Sequence, residues 1–476
     1  MSTKLSAPSQ AALDRIKAAL GKNGWTDAPE DMAPHLVEPR GLYHGKAALI
    51  ARPATTKQVS AVIAICNEYH IPVVPQGGNT SLVGAAVPDD SGAAIVLSLS
   101  RLDRIRSLDA SNDTITVEAG CVLANVQAAA EEANRLFPLS LGAEGSCQIG
   151  GNHSTNAGGT AVMRYGNARA LALGLEVVLP SGDIWDGLRA LQKDNTGYDL
   201  KQLFIGAEGT LGVITAAVLR LFPLPRDVVT ALVGVPEPAA AVELLALLRA
   251  GVGDAVVAFE LISEFAVGLA IEHIEGVRSP VAGNYPWYVL VELASGQEPG
   301  PMREAVESVF ADALDRHFIG DAVLASSQSQ IKALWRLREA VVEAQAYEGA
   351  SIKHDIAVPV SKVPEFLARA DELVEAAMPG IRVCAFGHLG DGNIHYNLTQ
   401  PKGMDADKYL GQWASMNQLV HGIADAFGGS ISAEHGLGQL KREEIRQYKS
   451  KIELDLMRTL KSTLDPKGIM NPGKVV

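Results

Sequence analysis

Three short stretches rich in glycine and in small hydroxyl or amide side chains lie between Pro75 and Ile214, and they limit what this chain can become. The first reads Pro75-Gln76-Gly77-Gly78-Asn79-Thr80-Ser81, after the apolar pair Val73-Val74. The second joins Gly150-Gly151-Asn152 to Ser154-Thr155-Asn156-Ala157-Gly158-Gly159. The third is Gly206-Ala207-Glu208-Gly209-Thr210-Leu211-Gly212-Val213-Ile214. Paired glycines let the backbone turn with positive φ. The resulting nest of N–H groups, flanked by Asn, Ser and Thr donors, holds a phosphate without Lys or Arg. One such loop alone is most often a tight turn, but three are more than ordinary connections require. A long ligand lying along exposed backbone accounts for all of them. The GxGxxG fingerprint that opens a Rossmann helix follows none of the strand-like runs, which disfavours a nicotinamide cofactor.

At 476 residues the chain exceeds one ordinary core. About three units are expected at roughly 150 residues each, or two if the units are large. Residues 9–20 read as an amphipathic helix, with Leu13, Ile16, Lys17 and Leu20 at helical spacing, Pro8 before it and Gly21 after it. Strands are expected at 48–51, 73–75, 95–97, 114–118 and 173–179, and helices at 56–69 and 123–134. Leu221-Phe222-Pro223-Leu224-Pro225 marks a boundary. Beyond Arg226, strand-like runs at 228–235, 256–261, 287–293, 352–358 and 381–386 alternate with amphipathic helices. The last helices are expected at 407–427 and up to about 464. This predicts an α+β unit with helices on one face of a largely antiparallel sheet. The expected division is an N-terminal helical segment (1–44), a loop-bearing domain (45–225), a second domain (226–430) and a C-terminal segment (431–476) that packs back on the first domain.

The PQGGNTSLVG, IGGNHSTNAGG and GAEGTLGVIT segments resemble the FAD-binding domain of the vanillyl-alcohol oxidase / p-cresol methylhydroxylase superfamily. The resemblance covers about residues 45–225 and implies a two-part FAD-binding domain followed by a substrate, or cap, domain. Carried over residue by residue, it places FAD against Pro75, Gln76, Gly77, Gly78, Asn79, Thr80, Ser81 and Gly84. It adds Gly142, Ser146, Ile149, Gly150, Asn152, Ser154, Thr155, Asn156, Gly158 and Gly159, then Glu208, Gly209, Gly212 and Ile214, with Asn471 and Lys474 near the C-terminus. Some members attach the flavin through a His just after the paired glycines. Asn79 stands there in this chain, so a non-covalent flavin is expected, with Cys147 read as a packing residue.

The segment Gly387-His388-Leu389-Gly390-Asp391-Gly392-Asn393-Ile394-His395-Tyr396-Asn397 carries two histidines at an odd spacing. On an uninterrupted strand they face opposite sides; the Gly-Asp-Gly-Asn stretch breaks the strand, and a turn there brings them together. Ser432-Ala433-Glu434-His435-Gly436-Leu437-Gly438 adds a carboxylate and an imidazole on a glycine-flanked turn. Two imidazoles and a carboxylate suit a divalent metal, Zn²⁺ by ligand type, with Mn²⁺ or Co²⁺ as alternatives. A single histidine is more often a hydrogen-bonded structural residue, the reading given to His35, His70, His273, His317 and His421. GHLGDGNIHYN, AEHGLG and Asn471-Pro472-Gly473-Lys474 resemble the C-terminal domain of FAD-linked D-2-hydroxyacid dehydrogenases, a group that acts on D-lactate, glycolate and D-2-hydroxyglutarate. By position, the resemblance makes His388, His395 and Glu434 metal ligands and His435 the general base. It implies hydride transfer from C2 of the substrate to flavin N5.

The same resemblance bears on the substrate. Arg338 and Lys353, which taken alone read as solvated surface charges, match residues that hold the distal carboxylate in D-2-hydroxyglutarate dehydrogenases. Val342, four residues after Arg338, stands where those enzymes have Thr, and Asn397 matches a residue near the reacting end. A dicarboxylate is expected, D-2-hydroxyglutarate or D-malate, ahead of D-lactate or glycolate. A flavin-dependent sugar or lactone oxidase, a non-catalytic flavin protein and a metal hydrolase each leave one set of motifs unexplained. The family's electron acceptors are an electron-transfer flavoprotein or a quinone, and its members are often homodimers. A formal net charge of −13 disfavours a nucleic-acid partner. The four scattered cysteines suggest neither disulfides nor a Cys-based zinc site. With no apolar run long enough to span a membrane and no signal segment in the first ten residues, a cytoplasmic protein is expected.

Overall fold

The computed structural model describes residues 8–476, so the reading of the first ten residues lies mostly outside it. The chain forms two compact units. One takes the N-terminal part up to Ala157, Asn167–Leu224 and Glu434–Val476; the other takes Gly158–Gly166 and Pro225–Ala433. Among the described residues no helix is long and apolar enough to cross a membrane.

The first unit holds two sheets. In the smaller, Ala47–Ala51, Ala94–Ser98 and Val73–Gln76 run parallel, with Trp25–Thr26 antiparallel at one edge. Helix Thr56–Tyr69 makes one crossover. It starts because the Thr55 hydroxyl accepts from the Gln58 N–H, and it stops where His70 turns left-handed at φ 57°. Its buried face, Val59, Val62, Ile63 and Cys66, has helical spacing and packs with Ala12, Ile16 and Leu20 of the N-terminal helix Gln10–Leu20. Each fully buried aliphatic side chain there contributes about 1.5–3 kcal/mol. The C-terminal residues join the same core: the Val73 N–H donates to the Ile469 carbonyl and the Asn471 N–H to the Val73 carbonyl.

The second sheet of this unit is five-stranded and antiparallel, in the order Ile105–Asp109, Thr114–Glu118, Val213–Arg220, Ala172–Val178, Ile184–Gly187. Its central strand, Val213–Arg220, was not expected. Its sequence, Val-Ile-Thr-Ala-Ala-Val-Leu-Arg, is buried on both faces over seven of eight residues and so lacks the alternation that marks a half-exposed strand.

In the second unit eight strands form one sheet. They are β1 (Asp227–Val235), β2 (Val256–Ser263), β3 (Trp287–Ser295), β4 (Asp321–Leu324), β5 (Ser351–Ile352), β6 (Asp355–Ala357), β7 (Arg382–His388) and β8 (Asn393–Thr399). The order is β4-β1-β3-β2-β7-β8-β5, with β6 also paired to β8, and every pairing is antiparallel. The expected strand at 352–358 is two pieces, broken at residues 353 and 354.

Side-chain alternation splits the apolar residues of this sheet between two layers. Phe259, Leu261, Ala385 and Tyr396 pack with helices Pro238–Val252, Pro301–Asp315, Val363–Ala377 and Trp413–Ala426. Leu232, Ile262, Cys384 and Phe386 pack with helix α1 (Glu264–His273) and helix α2 (Gln328–Ala344). The α+β class and the antiparallel sheet match expectation, whereas helices cover both faces rather than one.

Candidate functional site

In the first unit the glycine-rich loops approach each other closely. A Cβ on Gly78 would strike the Ser146 carbonyl oxygen, one on Gly150 would lie 2.7 Å from the Ala119 Cβ, and one on Gly209 would lie 3.1 Å from Pro75. Asn79 and Glu208 adopt positive φ, 53° and 51°, and Gly84 and Gly209 do likewise. Ile149, Gly150 and Asn152 lie on a short helix, Ile149–Ser154, whose last turn bears Ser154 and leads into Thr155. At its start the buried Gln148 Oε1, and within it the buried His153 Nε2, have no hydrogen-bond partner among the described residues. Buried polar atoms are nearly always paired, so the orphaned Gln148 Oε1, 3.5 Å from where a Cβ on Gly77 would sit, fits a polar cofactor such as FAD against this loop. Burial lowers the His153 pKa, favouring the neutral ring.

Several residues expected to touch the cofactor use their side chains otherwise. The Gln76 amide donates to the His35 and Ala86 carbonyls at 2.9 Å each, and the Asn79 amide to the Pro34 and Val37 carbonyls at 3.1 and 2.9 Å. The buried Glu208 carboxylate accepts from the Leu437 and Gly438 N–H groups at 2.8 Å each, and burial raises its pKa. Asn471 donates to the Ala85 and Glu208 carbonyls. Lys474 is buried, and its pKa falls to about 8 because burial disfavours the charge. At Gln76, Asn79 and Glu208 this leaves the backbone rather than the side chain for a ligand. Gly158 and Gly159 belong to the second unit.

In the second unit the glycine-rich turn does what the odd histidine spacing required. β7 and β8 form a hairpin in which His388 pairs with Asn393 and Phe386 with His395. Residues opposite each other project to one face, so His388 and His395 are diagonal neighbours, with ring centroids 5.5 Å apart. The turn is tight. A Cβ on Gly392 would overlap the Val358 carbonyl and one on Gly390 the Met163 sulfur; Gly392 sits at φ 85°. Asp391 Oδ1 accepts from the Asn393 N–H. His395 Nδ1 lies 3.8 Å from Asp355, whose carboxylate also accepts from the Asn393 amide at 2.9 Å. Two imidazoles on one face, beside buried carboxylates, form a donor set that fits a borderline divalent metal.

The same face carries a residue the sequence reading missed. Glu260 on β2 is fully buried and pairs directly across from His388. It accepts from His388 Nδ1 at 2.6 Å and from Arg338 Nε at 2.8 Å. Burial pushes its carboxyl up, but the His388 and Arg338 charges outweigh that and hold it at about 2. A lone Glu inside the apolar run Val-Val-Ala-Phe-Glu-Leu-Ile was the available signal.

Arg338, on α2, is 7% exposed, so it is not a solvated surface charge; its guanidinium lies 4.6 Å from the Phe386 ring centroid. Lys353 is exposed. Both cations act on the buried Cys384 thiol, drawing its pKa down while burial, the larger effect, raises it to about 12. Asn397 is buried and engaged, accepting from the His354 N–H at 3.2 Å and donating to Gln345 at 2.8 Å. Val342 is 50% exposed. His273 bonds Glu348 at 2.7 Å, and His421 stacks edge-on against His354.

Glu434 and His435 open the C-terminal segment of the first unit. Gly436 follows at φ 75°, and a Cβ there would sit 2.7 Å from Glu208 Oε1. The flanking glycine thus permits an irregular turn, on which a Glu434 carboxylate oxygen and a His435 ring nitrogen lie within 4.8 Å of each other.

Comparison with known proteins agrees with this geometry. Residues 47–187 match the FAD binding domain family, and residues 224–475 match the family described as FAD linked oxidases, C-terminal domain. A rice protein (Oryza sativa subsp. indica), named probable D-2-hydroxyglutarate dehydrogenase, mitochondrial, is 39% identical over 97% of this chain and 81% of its own length. The zebrafish (Danio rerio) D-2-hydroxyglutarate dehydrogenase, mitochondrial, is 40% identical over 91% of this chain and 79% of its own. The crystal structure of p-cresol methylhydroxylase with substrate bound superposes with a TM-score of 0.76 at 17% identity, covering 98% of this chain and 97% of that one, which shows a shared fold. The cytoplasmic location expected from the sequence is corrected by these relatives, whose names place them in mitochondria. With both family matches and this extended identity in hand, the chain belongs to the FAD-linked oxidases and is an FAD-dependent oxidoreductase.

Proposed function

We propose that this protein oxidises the C2 hydroxyl of a D-2-hydroxy dicarboxylate to the 2-oxo acid, with D-2-hydroxyglutarate as first substrate and D-malate as second. The observation that carries the reading is the buried Arg338, tied through Glu260 to His388 on one face of the sheet. A cation held out of water beside a histidine pair suits an anionic group at one end of a substrate whose other end reacts. The names of the rice and zebrafish relatives support the same substrate and a mitochondrial location.

FAD held by the loops of the first unit supplies the hydride acceptor. A divalent metal, zinc by its ligands, would be held by His388, His395 and Glu434 and would polarise the substrate hydroxyl. Glu434 follows Ala433, whose N–H donates to the Asp355 carbonyl at 3.1 Å; Asp355 itself pairs with His395 across the strands. His435, the imidazole next to Glu434, takes the hydroxyl proton as general base. Arg338 and Lys353 hold the distal carboxylate, and Asn397 fixes the strand beneath the reacting end. The flavin is non-covalent: Asn79 has no nucleophile to offer, and burial raises the Cys147 thiol pKa. Electrons leave to an electron-transfer flavoprotein or a quinone.

D-malate remains as second reading because Val342 offers no hydroxyl where a Thr would serve the longer diacid. Steady-state dye reduction with D- and L-2-hydroxyglutarate, D-malate and D-lactate tests the proposal. D-2-hydroxyglutarate should give the highest kcat/KM, with D-malate next and the L-enantiomer inert. A preference for D-lactate, or turnover of both enantiomers, overturns it.

A further inference from the structure

Glu260 has no part in the reaction as proposed, yet it is the one charged residue on β2 and is fully buried. Each of its oxygens serves a different group: Oε1 meets His388 Nδ1 at 2.6 Å and Oε2 meets Arg338 Nε at 2.8 Å. We propose that Glu260 is a positioning residue that braces a metal ligand and the substrate-binding arginine against each other, so that metal and diacid are held in one register. This rests on the roles given above to His388 and Arg338.

A carboxylate only accepts hydrogen bonds, so its contact puts the proton on His388 Nδ1 and makes Nε2 the nitrogen that takes a metal. Such outer carboxylates orient the ring and raise its basicity as a ligand. Register enforces the geometry, because Glu260 and His388 are direct cross-strand partners. Arg338 is constrained on two sides, by Glu260 at Nε and by the Phe386 ring at 4.6 Å. Its two terminal amino groups are thereby presented as a planar edge, the arrangement that grips a carboxylate with two parallel bonds. A plain structural ion pair needs only one of these partners. Sharing one carboxylate between them links the two ends of the substrate mechanically.

The test uses the intact flavoprotein stripped of metal. Zn²⁺ affinity is read by competition with a chromophoric chelator, and 2-oxoglutarate affinity by the flavin difference spectrum. Glu260→Gln should weaken Zn²⁺ binding roughly 10–100-fold and, in the same protein, weaken 2-oxoglutarate binding about tenfold. Arg338→Met should weaken the diacid most and Zn²⁺ less than Glu260→Gln does, because Glu260 still holds His388 Nδ1. Should Glu260→Gln unfold because Arg338 is left buried and unpaired, the double variant Glu260→Gln/Arg338→Met removes both charges and should still show the lowered Zn²⁺ affinity. Full Zn²⁺ affinity in the Glu260 variants, with affinity lost in His388→Ala and His395→Ala, overturns the brace and leaves the metal site standing. Weakened Zn²⁺ with unchanged diacid binding in Glu260→Gln overturns the coupling. Full affinity in both histidine variants removes the metal site, and the brace with it.

Discussion

Arg338→Met separates a substrate role from a purely structural one. The side chain is 7% exposed and donates to Glu260 at 2.8 Å, so removing it breaks a buried ion pair, a change worth about 3–5 kcal/mol. Glu260 keeps His388 as a partner at 2.6 Å, which favours the low end, about 3 kcal/mol. In a unit of this size that lowers Tm by roughly 6–12 °C. The catalytic effect is of another kind. A charge-assisted hydrogen bond contributes about 1.5–3 kcal/mol, so losing the grip on the distal carboxylate should reduce kcat/KM for D-2-hydroxyglutarate by about 10–150-fold. The loss should fall mainly in KM. D-lactate has no distal carboxylate, and its kcat/KM should change little. Steady-state dye reduction with both acids, well below the variant's Tm, measures the ratio. Equal losses on the two substrates would refute the assignment and would mean that Arg338 acts only through the fold around His388.

Three further outcomes are expected. Val342→Thr, at a half-exposed position, should leave Tm within about 2 °C and shift the kcat/KM ratio toward D-2-hydroxyglutarate over D-malate by about 2–10-fold, the worth of one neutral hydrogen bond. Gly78→Ala has no room for its Cβ against the Ser146 carbonyl, so the purified variant should carry less FAD per chain than wild type, read from the ratio of flavin to protein absorbance. Glu176 is buried, which raises its pKa, but Arg106, Thr56 and Thr215 more than offset this and hold it below the ordinary 4.5. A carboxyl lowered on folding stabilises above its unfolded pKa and loses that contribution as the pH falls through the folded value. The Tm gap between wild type and Glu176→Gln should therefore be open at pH 7 and narrow on acidification below about pH 4.5.

What the sequence made legible follows from the range of each interaction. Local signals held: Thr55 and His70 bound the helix at 56–69, and the Gly-Asp-Gly-Asn turn brings His388 and His395 to one face. The glycine loops were located because glycine is demanded by close backbone approach, as at Gly78 against Ser146. Side-chain roles within those loops were not legible. Gln76, Asn79 and Glu208 serve carbonyls and amides of distant segments, and nothing in a local motif says so. Glu260 was missed for the same reason, since its partner His388 lies 128 positions away. Arg338 looked like a surface charge because its burial depends on that same strand. The strand Val213–Arg220 escaped because burial on both faces erases alternation, and the glycine cluster just before it dominated the reading.

Anaerobic titration of the purified flavoprotein with D-2-hydroxyglutarate, before and after EDTA treatment, tests the central claim most directly. The expected result is bleaching of the flavin by the D-acid, loss of bleaching after metal removal, and recovery with Zn²⁺. Bleaching that survives metal removal would contradict the roles of His388, His395 and Glu434. A flavin that dithionite reduces but neither D-2-hydroxyglutarate nor D-malate bleaches would contradict the dicarboxylate dehydrogenase itself.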